Sequence, residues 1–134
     1  MGNNWEESYL LNIKSIDEQH KIFFDLYNRE INNIDTRDYK HLSGVIDSLI
    51  NYLNIHFEYE EELLRKSNYT DIENHISQHK FFIQKVERFK QELSYSNSLL
   101  HTNVISFIKR WFLTHIIQSD REYQETVTKY LKDK

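Results

Sequence analysis

The stretch HISQHK at residues 75–80 places two histidines, His75 and His79, four residues apart. Four residues is slightly more than one turn of an α-helix, so both imidazoles would lie on the same helical face. Apolar residues continue this face at helical spacing: Phe82, Val86, Phe89 and Leu93. The pattern predicts an amphipathic helix in which two imidazoles occupy positions that leucine would normally fill.

Three other stretches have the same spacing of three and four residues. One runs from His20 to Ile34, one from Leu42 to Leu63 and one from His101 to His115. A shorter amphipathic stretch covers about residues 120–131. The chain has two glycines and no proline, whereas an all-β protein of this length would need more turn residues.

These patterns predict an all-α fold, an antiparallel up-down-up-down four-helix bundle that forms a single domain over residues 1–134. We expect an irregular N-terminal arm and a short C-terminal helical extension. Ser15–Glu18 (SIDE) and Thr70–Glu73 (TDIE) resemble capping boxes at helix starts, and Asp38 is a candidate N-cap. Gly44 lies inside the second helix, where it should cost about 1 kcal/mol relative to alanine.

The composition excludes several classes of protein. With 17 basic and 21 acidic residues, the formal net charge is −4, which gives no reason to expect nucleic acid or an anionic membrane as a partner. The absence of cysteine excludes disulfides, zinc–thiolate sites and iron–sulfur clusters. No secretory signal is visible, and no apolar run approaches the roughly 20 residues of a membrane span. We expect a cytoplasmic protein, and the sequence identifies no protein partner.

Six polar residues interrupt the apolar faces: His20, His56, Glu60, His75, His79 and His115. In an up-down-up-down bundle they would all lie toward the same end and face the axis. A buried carboxylate costs several kcal/mol unless it is compensated, and one glutamate cannot pair with five imidazoles. A bound cation would satisfy both kinds of group, so the pattern predicts a metal site. His41 and His101 fit ordinary surface or core positions.

Five imidazoles exceed what one metal with an open position uses, so two metals that share a carboxylate are favoured. Asp120, in HIIQSD, is the candidate second carboxylate. It follows His115 by five residues, which is about 140° around an ideal α-helix. A π-bulge, a helix end or a reach from the edge of the face would be needed to bring Asp120 to the site. The alternative is a solvated aspartate at a helix terminus.

In this order, His20, HFEYE (56–60), HISQH (75–79) and HIIQSD (115–120) resemble hemerythrin, specifically the single-domain bacteriohemerythrins. The arm from Trp5 to Lys21 and the WFLTHI segment around Trp111 are also similar to that family. The resemblance covers essentially the whole chain. It implies a protein that binds dioxygen reversibly at a non-haem di-iron centre and is not an enzyme.

The resemblance also implies a role for each candidate ligand. One iron would have three histidine ligands, His75, His79 and His115. The other would have two, His20 and His56, and the vacancy on it would receive dioxygen. Two carboxylates, Glu60 and Asp120, would bridge the irons together with an oxo or hydroxo group. A site rich in histidine and poor in carboxylate stabilises high-valent iron less, which favours reversible binding over cleavage of the oxygen–oxygen bond.

Bound oxygen needs a dry pocket, because water or protons would hasten its loss as peroxide. Five apolar residues adjoin the expected ligands in sequence: Phe23, Phe57, Trp111, Phe112 and Ile116. They could wall such a pocket or belong to the ordinary core. The family commonly has leucine directly after this tryptophan, so Phe112 bears on ligand access and on the autoxidation rate. Tyr123 also matches a family position near the centre.

The same residues would suit other functions. Oxygen or redox sensing would require a separate partner, because the chain has no room for an output domain. Turnover of peroxide or nitric oxide, or oxidation of iron, would make the protein an enzyme. Zinc hydrolysis could use the same ligands. Catalytic turnover distinguishes an enzyme from a carrier, and metal analysis identifies zinc.

Overall fold

The computed structural model describes residues 6–32, 38–93 and 98–134 of the chain. A short 3-10 turn, Glu7–Tyr9, is followed by four long helices. They are α1 (Lys14–Asn32), α2 (Tyr39–Lys66), α3 (Ile72–Glu92) and α4 (Ser98–Thr114). A π-helical turn, His115–Asp120, joins α4 to the last helix, α5 (Arg121–Asp133). Among the described helices, none has both the length and the apolar character needed to cross a bilayer.

The helices pack as an antiparallel bundle, so the predicted fold class is confirmed. Tyr27, in the second half of α1, donates a hydrogen bond to the carbonyl of Ile105 in the first half of α4 (2.9 Å). His20, in the first half of α1, instead lies beside Asp120, just beyond α4. The two helices therefore run in opposite directions. The predicted C-terminal extension is α5, which continues α4 through the π-helical turn.

Two apolar cores lie along the bundle. The larger, which we call the main core, is built from all four long helices and includes Phe23, Leu53, Phe82 and Ile108. The smaller, which we call the terminal core, joins the arm and the start of α1 to the end of α2 and the first half of α5. Its buried members are Leu11, Ile13, Ile16, Leu64, Tyr123 and Val127.

Side chains of α5 hold the N-terminal arm in place by donating hydrogen bonds to backbone carbonyls of the arm. Gln124 donates to the carbonyl of Leu11 (2.6 Å), and Arg121 donates to the carbonyl of Ser8 (2.6 Å). The arm is irregular apart from its 3-10 turn, as expected. Trp5, which the resemblance assigned to the arm, lies outside the described residues.

The predicted helix starts are only partly right. Asp38 caps α2 by accepting a hydrogen bond from the backbone N–H of His41 (3.1 Å), as predicted. The two capping boxes are wrong. Helix α1 begins at Lys14, so Ser15 is already helical, and α3 begins after Asp71, whose side chain makes no capping bond.

Candidate metal centre

The seven residues predicted to bind metal lie together at one level of the bundle. Each is at most 6% exposed. They come from α1, α2, α3 and the π-helical turn, and are His20, His56, Glu60, His75, His79, His115 and Asp120.

Three imidazoles surround one oxygen of each carboxylate. Nε2 of His75 lies 2.7 Å from Glu60 Oε1 and 3.1 Å from Asp120 Oδ1. Nε2 of His79 lies 3.1 Å from Glu60 Oε1, and Nε2 of His115 lies 3.0 Å from Asp120 Oδ1. The Nε2 atoms of His79 and His115 are themselves 3.0 Å apart. Three ring nitrogens and two carboxylate oxygens therefore converge on one point.

The other two imidazoles face the second oxygen of each carboxylate. Nε2 of His20 lies 3.1 Å from Asp120 Oδ2 and 3.8 Å from Glu60 Oε2. Nε2 of His56 lies 3.4 Å from Glu60 Oε2. Glu60 and Asp120 thus stand between a group of three histidines and a group of two, with one oxygen turned toward each group.

The π-helical turn explains how Asp120 reaches the site. Its hydrogen bonds join residues five apart, so His115 and Asp120 end on the same face although an α-helix would separate them. The sequence left three ways for Asp120 to reach the site: a π-bulge, a helix end or a reach from the edge of the face. The structure shows the π-bulge. The same turn carries Tyr123 inward, where its side chain is 0% exposed.

The surrounding charges hold both carboxylates in their ionised form. Burial alone would raise the pKa of Glu60, but four neighbouring imidazoles hold it well below its usual value. Burial and the charge of Glu60 act in the same direction on Asp120, and the imidazoles of His115 and His20 outweigh them, so that its pKa is also lowered. Two anions in a buried site therefore face five imidazoles.

Some of these buried groups have close neighbours of opposite charge but no well-aligned hydrogen bond. Within the described part of the chain, neither oxygen of Asp120 and neither nitrogen of His20 makes a hydrogen bond. Buried polar atoms are normally satisfied, and each exception requires an explanation. Imidazole nitrogen and carboxylate oxygen are donors that bind transition metals. The residues present therefore fit a metal centre that spans both groups.

Three further side chains hold the candidate ligands from outside. Gln19 Oε1 lies 2.7 Å from Nδ1 of His56, and Glu61 Oε2 lies 2.8 Å from Nδ1 of His79. Tyr123 donates a hydrogen bond to Glu60 Oε2 (3.0 Å). Partners at Nδ1 fix a ring so that its Nε2 points inward. Sequence reasoning missed Gln19 and Glu61, whose only signal is that each adjoins a candidate ligand in the chain.

Three of the five predicted pocket residues contact histidines directly, and the other two, Phe23 and Ile116, are buried in the main core. Phe57 stacks on His79, with ring centroids 3.8 Å apart, and the half-buried Trp111 stacks on His115 at 4.5 Å. Phe112 meets His20 edge-on and packs against Phe23 at 4.2 Å. Ile116 is fully buried in the main core.

The two remaining histidines of the described residues stand apart from this cluster. His101 is buried beside the carbonyl of Leu93 (3.1 Å), and His41 is exposed at the start of α2. Both match the ordinary positions expected for them.

Comparison with known proteins identifies the family. The model of the hemerythrin HHE cation binding domain matches residues 11–127. Bacteriohemerythrin from Clostridium acetobutylicum is 30% identical over 124 residues, which cover 89% of this chain and 96% of that protein. A hemerythrin-like protein from Naegleria gruberi is 30% identical over 121 residues, or 90% of each chain.

A solved structure has the same fold. The crystal structure of wild-type hemerythrin superposes with a TM-score of 0.79 at 23% sequence identity, and the match covers 92% of this chain and 96% of that one. Because the family model spans most of the chain and the 30% identical relatives are matched over nearly their full length, the chain belongs to the hemerythrin family.

Proposed function

We propose that this protein binds dioxygen reversibly at a non-haem di-iron centre and serves in oxygen storage, delivery or scavenging without catalytic turnover. One observation carries the proposal. Glu60 and Asp120 each turn one oxygen toward members of the three-histidine group and the other toward the two-histidine group. Two carboxylates placed in this way suit a pair of ions better than a single ion. Membership of the hemerythrin family supports the same function.

The assignment of ligands follows the two groups. His75, His79 and His115 would bind one iron, and His20 and His56 would bind the other. Glu60 and Asp120 would bridge the irons, with an oxo or hydroxo group as the third bridge. When bound, the two irons would supply the electrons that dioxygen takes up on binding and returns on release.

One group has three histidines and the other has two. An open coordination position would therefore be favoured at the two-histidine group. Phe112 borders His20 on that side and packs against Phe23, and both phenylalanines are buried. Their role would be to exclude water. On the other side, Phe57 and Trp111 lie flat against His79 and His115 and would limit the movement of these rings. Ile116, which belongs to the main core, would also help to close the oxygen pocket.

Measurement of iron content together with the absorption spectrum tests the proposal. The protein would be purified without oxygen and then exposed to air. We expect two irons per chain, with charge-transfer bands that appear in air and fade when oxygen is removed. Bands that persist would refute reversible carriage and favour sensing or peroxide chemistry. Zinc in place of iron would refute the di-iron centre itself.

A further inference from the structure

The outer nitrogens of two candidate ligands have partners of different charge. Nδ1 of His79 faces the carboxylate of Glu61 (2.8 Å), whereas Nδ1 of His56 faces the neutral amide oxygen of Gln19 (2.7 Å). The two contacts are alike in length and in the atoms they join. They differ in that only one brings a negative charge to the ligand.

This difference changes the strength of the two imidazoles as ligands. The carboxylate oxygen of Glu61 and the amide oxygen of Gln19 both accept a hydrogen bond, so each requires a proton on Nδ1 of its histidine. The lone pair of Nε2 then points into the site. An ionised acceptor forms a stronger hydrogen bond than a neutral one, and it increases the basicity of the ring. His79 should therefore be the stronger donor to a metal ion, and His56 the weaker.

The surroundings of Glu61 suit a residue that acts through its charge. Its side chain is 21% exposed, whereas that of His79 is 2% exposed. Glu61 lines a surface depression of about 500 Å³, together with Phe57, Lys80 and His79 itself. The carboxylate thus keeps contact with solvent while it touches a buried ring. Phe57 stacks on that ring at 3.8 Å, which limits its movement.

We propose that Glu61 is a positioning residue that widens the difference in affinity for transition-metal cations between the three-histidine and two-histidine positions. The inference rests on the proposed ligand role of His79. Three ligands already favour one position over two, and the charge of Glu61 strengthens that preference. Metal supplied below full stoichiometry would then collect on His75, His79 and His115 before it reaches His20 and His56.

Titration of the metal-stripped protein with Zn²⁺ alone tests this inference. Calorimetry gives the two stepwise affinities, and NMR signals of the histidine rings show which position fills at each step. Repeating the titration at two pH values separates ligand strength from competition with protons. Zinc has no redox change, so the result does not depend on oxygen binding.

Two reciprocal variants exchange the charges of the partners. Glu61→Gln keeps an amide oxygen for Nδ1 but removes the charge, and it should weaken the three-histidine position by about tenfold, the lower end of the range for loss of an outer partner. Gln19→Glu adds a charge and should strengthen the two-histidine position. Glu62→Gln is the matched control, since Glu62 is exposed and pairs with Arg65 at 2.9 Å.

The outcomes distinguish the inference from the proposed function. Opposite changes at the two positions, with Glu62→Gln unchanged, would support the role of Glu61. If the wild type binds two zinc ions and neither reciprocal variant alters the ratio of affinities, the inference is overturned and the two-metal centre stands. If the wild type binds no zinc and no iron, both are overturned.

Discussion

The ring of Phe112 meets the imidazole of His20 edge-on, with centroids 5.7 Å apart and planes at 90°. Phe112 is 3% exposed, and it also packs against Phe23 with ring centroids 4.2 Å apart. Phe112, where the resemblance led us to expect leucine, therefore borders the side of the candidate centre that has two histidines.

Replacing Phe112 with leucine should raise the autoxidation rate and leave the iron content unchanged. The smaller side chain would leave space beside His20, and water that enters it would hasten loss of bound oxygen as peroxide. Decay of the oxygenated absorption bands measures the rate. Phe89→Leu is the matched control, because Phe89 packs against Phe107 far from the site. Equal rates in both variants would exclude Phe112 from the pocket wall.

Replacing His79 with leucine should reduce the iron content to half or less. The variant loses a nitrogen that lies 3.1 Å from Glu60 Oε1, and it leaves Glu61 without its imidazole partner. Iron per chain, measured after removal of loosely bound metal, checks this. His101→Leu removes an equally buried histidine at the other end of the bundle and should retain full iron. Full iron in His79→Leu would contradict the ligand assignment.

Replacing Gly44 with alanine should stabilise the protein by about 0.5–1 kcal/mol, because alanine loses less backbone freedom when a helix forms. Close packing does not require this glycine, since a Cβ atom built on it meets nothing within 4 Å. Urea unfolding of the two proteins gives the difference in free energy, with iron content as the control for an intact site. A decrease in stability would show that the added methyl group is not accommodated.

The metal-free protein should become less stable as pH rises from 6.5 to about 10. Burial lowers the pKa of His20 and of His75, but the nearby carboxylates of Asp120 and Glu60 outweigh it and raise the pKa values to about 9 and about 10. A raised pKa stabilises the fold below the unfolded value of 6.5, and this contribution is lost as pH rises through the folded values.

Two other groups affect stability only at lower pH, outside this range. Burial lowers the pKa of His56, whose contribution is present above pH 6.5 and is lost as pH falls. The lowered pKa of Glu60 contributes above its ordinary value of 4.5 and is also lost in acid. Urea unfolding at several pH values checks the prediction. Metal-loaded protein is the control, because its imidazoles are already deprotonated and should not show the alkaline loss.

Much of the bundle could be predicted because its helices are long and strongly periodic. The residues of the last helix that face inward could not be predicted from the same periodicity. Its inward residues continue the face of α4 only after a single gap of five, in the order His101, Val104, Ile108, Trp111, His115, Asp120, Tyr123 and Val127. An α-helical reading leaves Asp120 off the face, and the π-helical turn absorbs the extra residue.

The capping box predicted at the start of α1 was wrong for an energetic reason. A capping hydrogen bond is worth about 1 kcal/mol, whereas burial of a large aliphatic side chain contributes about 1.5–3 kcal/mol. Leu11 and Ile13 are buried in the terminal core, and their placement fixes where α1 begins. Asp17 then accepts a hydrogen bond from the backbone N–H of Leu11 (2.8 Å) and holds the arm, while Ser15 has no capping role left.

Gln19 and Glu61 could not be identified from spacing, because helical periodicity reports which face a residue occupies and not what its end touches. Both lie beside the inward face, where polar residues are ordinary. Their contacts with His56 and His79 depend on how closely α1 approaches α2, and α2 approaches α3.

The terminal core also closes one end of the layer that holds the candidate metal ligands. Along the bundle axis, the main core lies on one side of the seven candidate metal ligands. Leu64 and Tyr123, both fully buried, lie on the other side. Shallow depressions instead reach His79 between α2 and α3, and His115 between α3 and the π-helical turn. Solvent therefore comes nearest to the candidate ligands at the side of the bundle, whereas both of its apolar ends are packed.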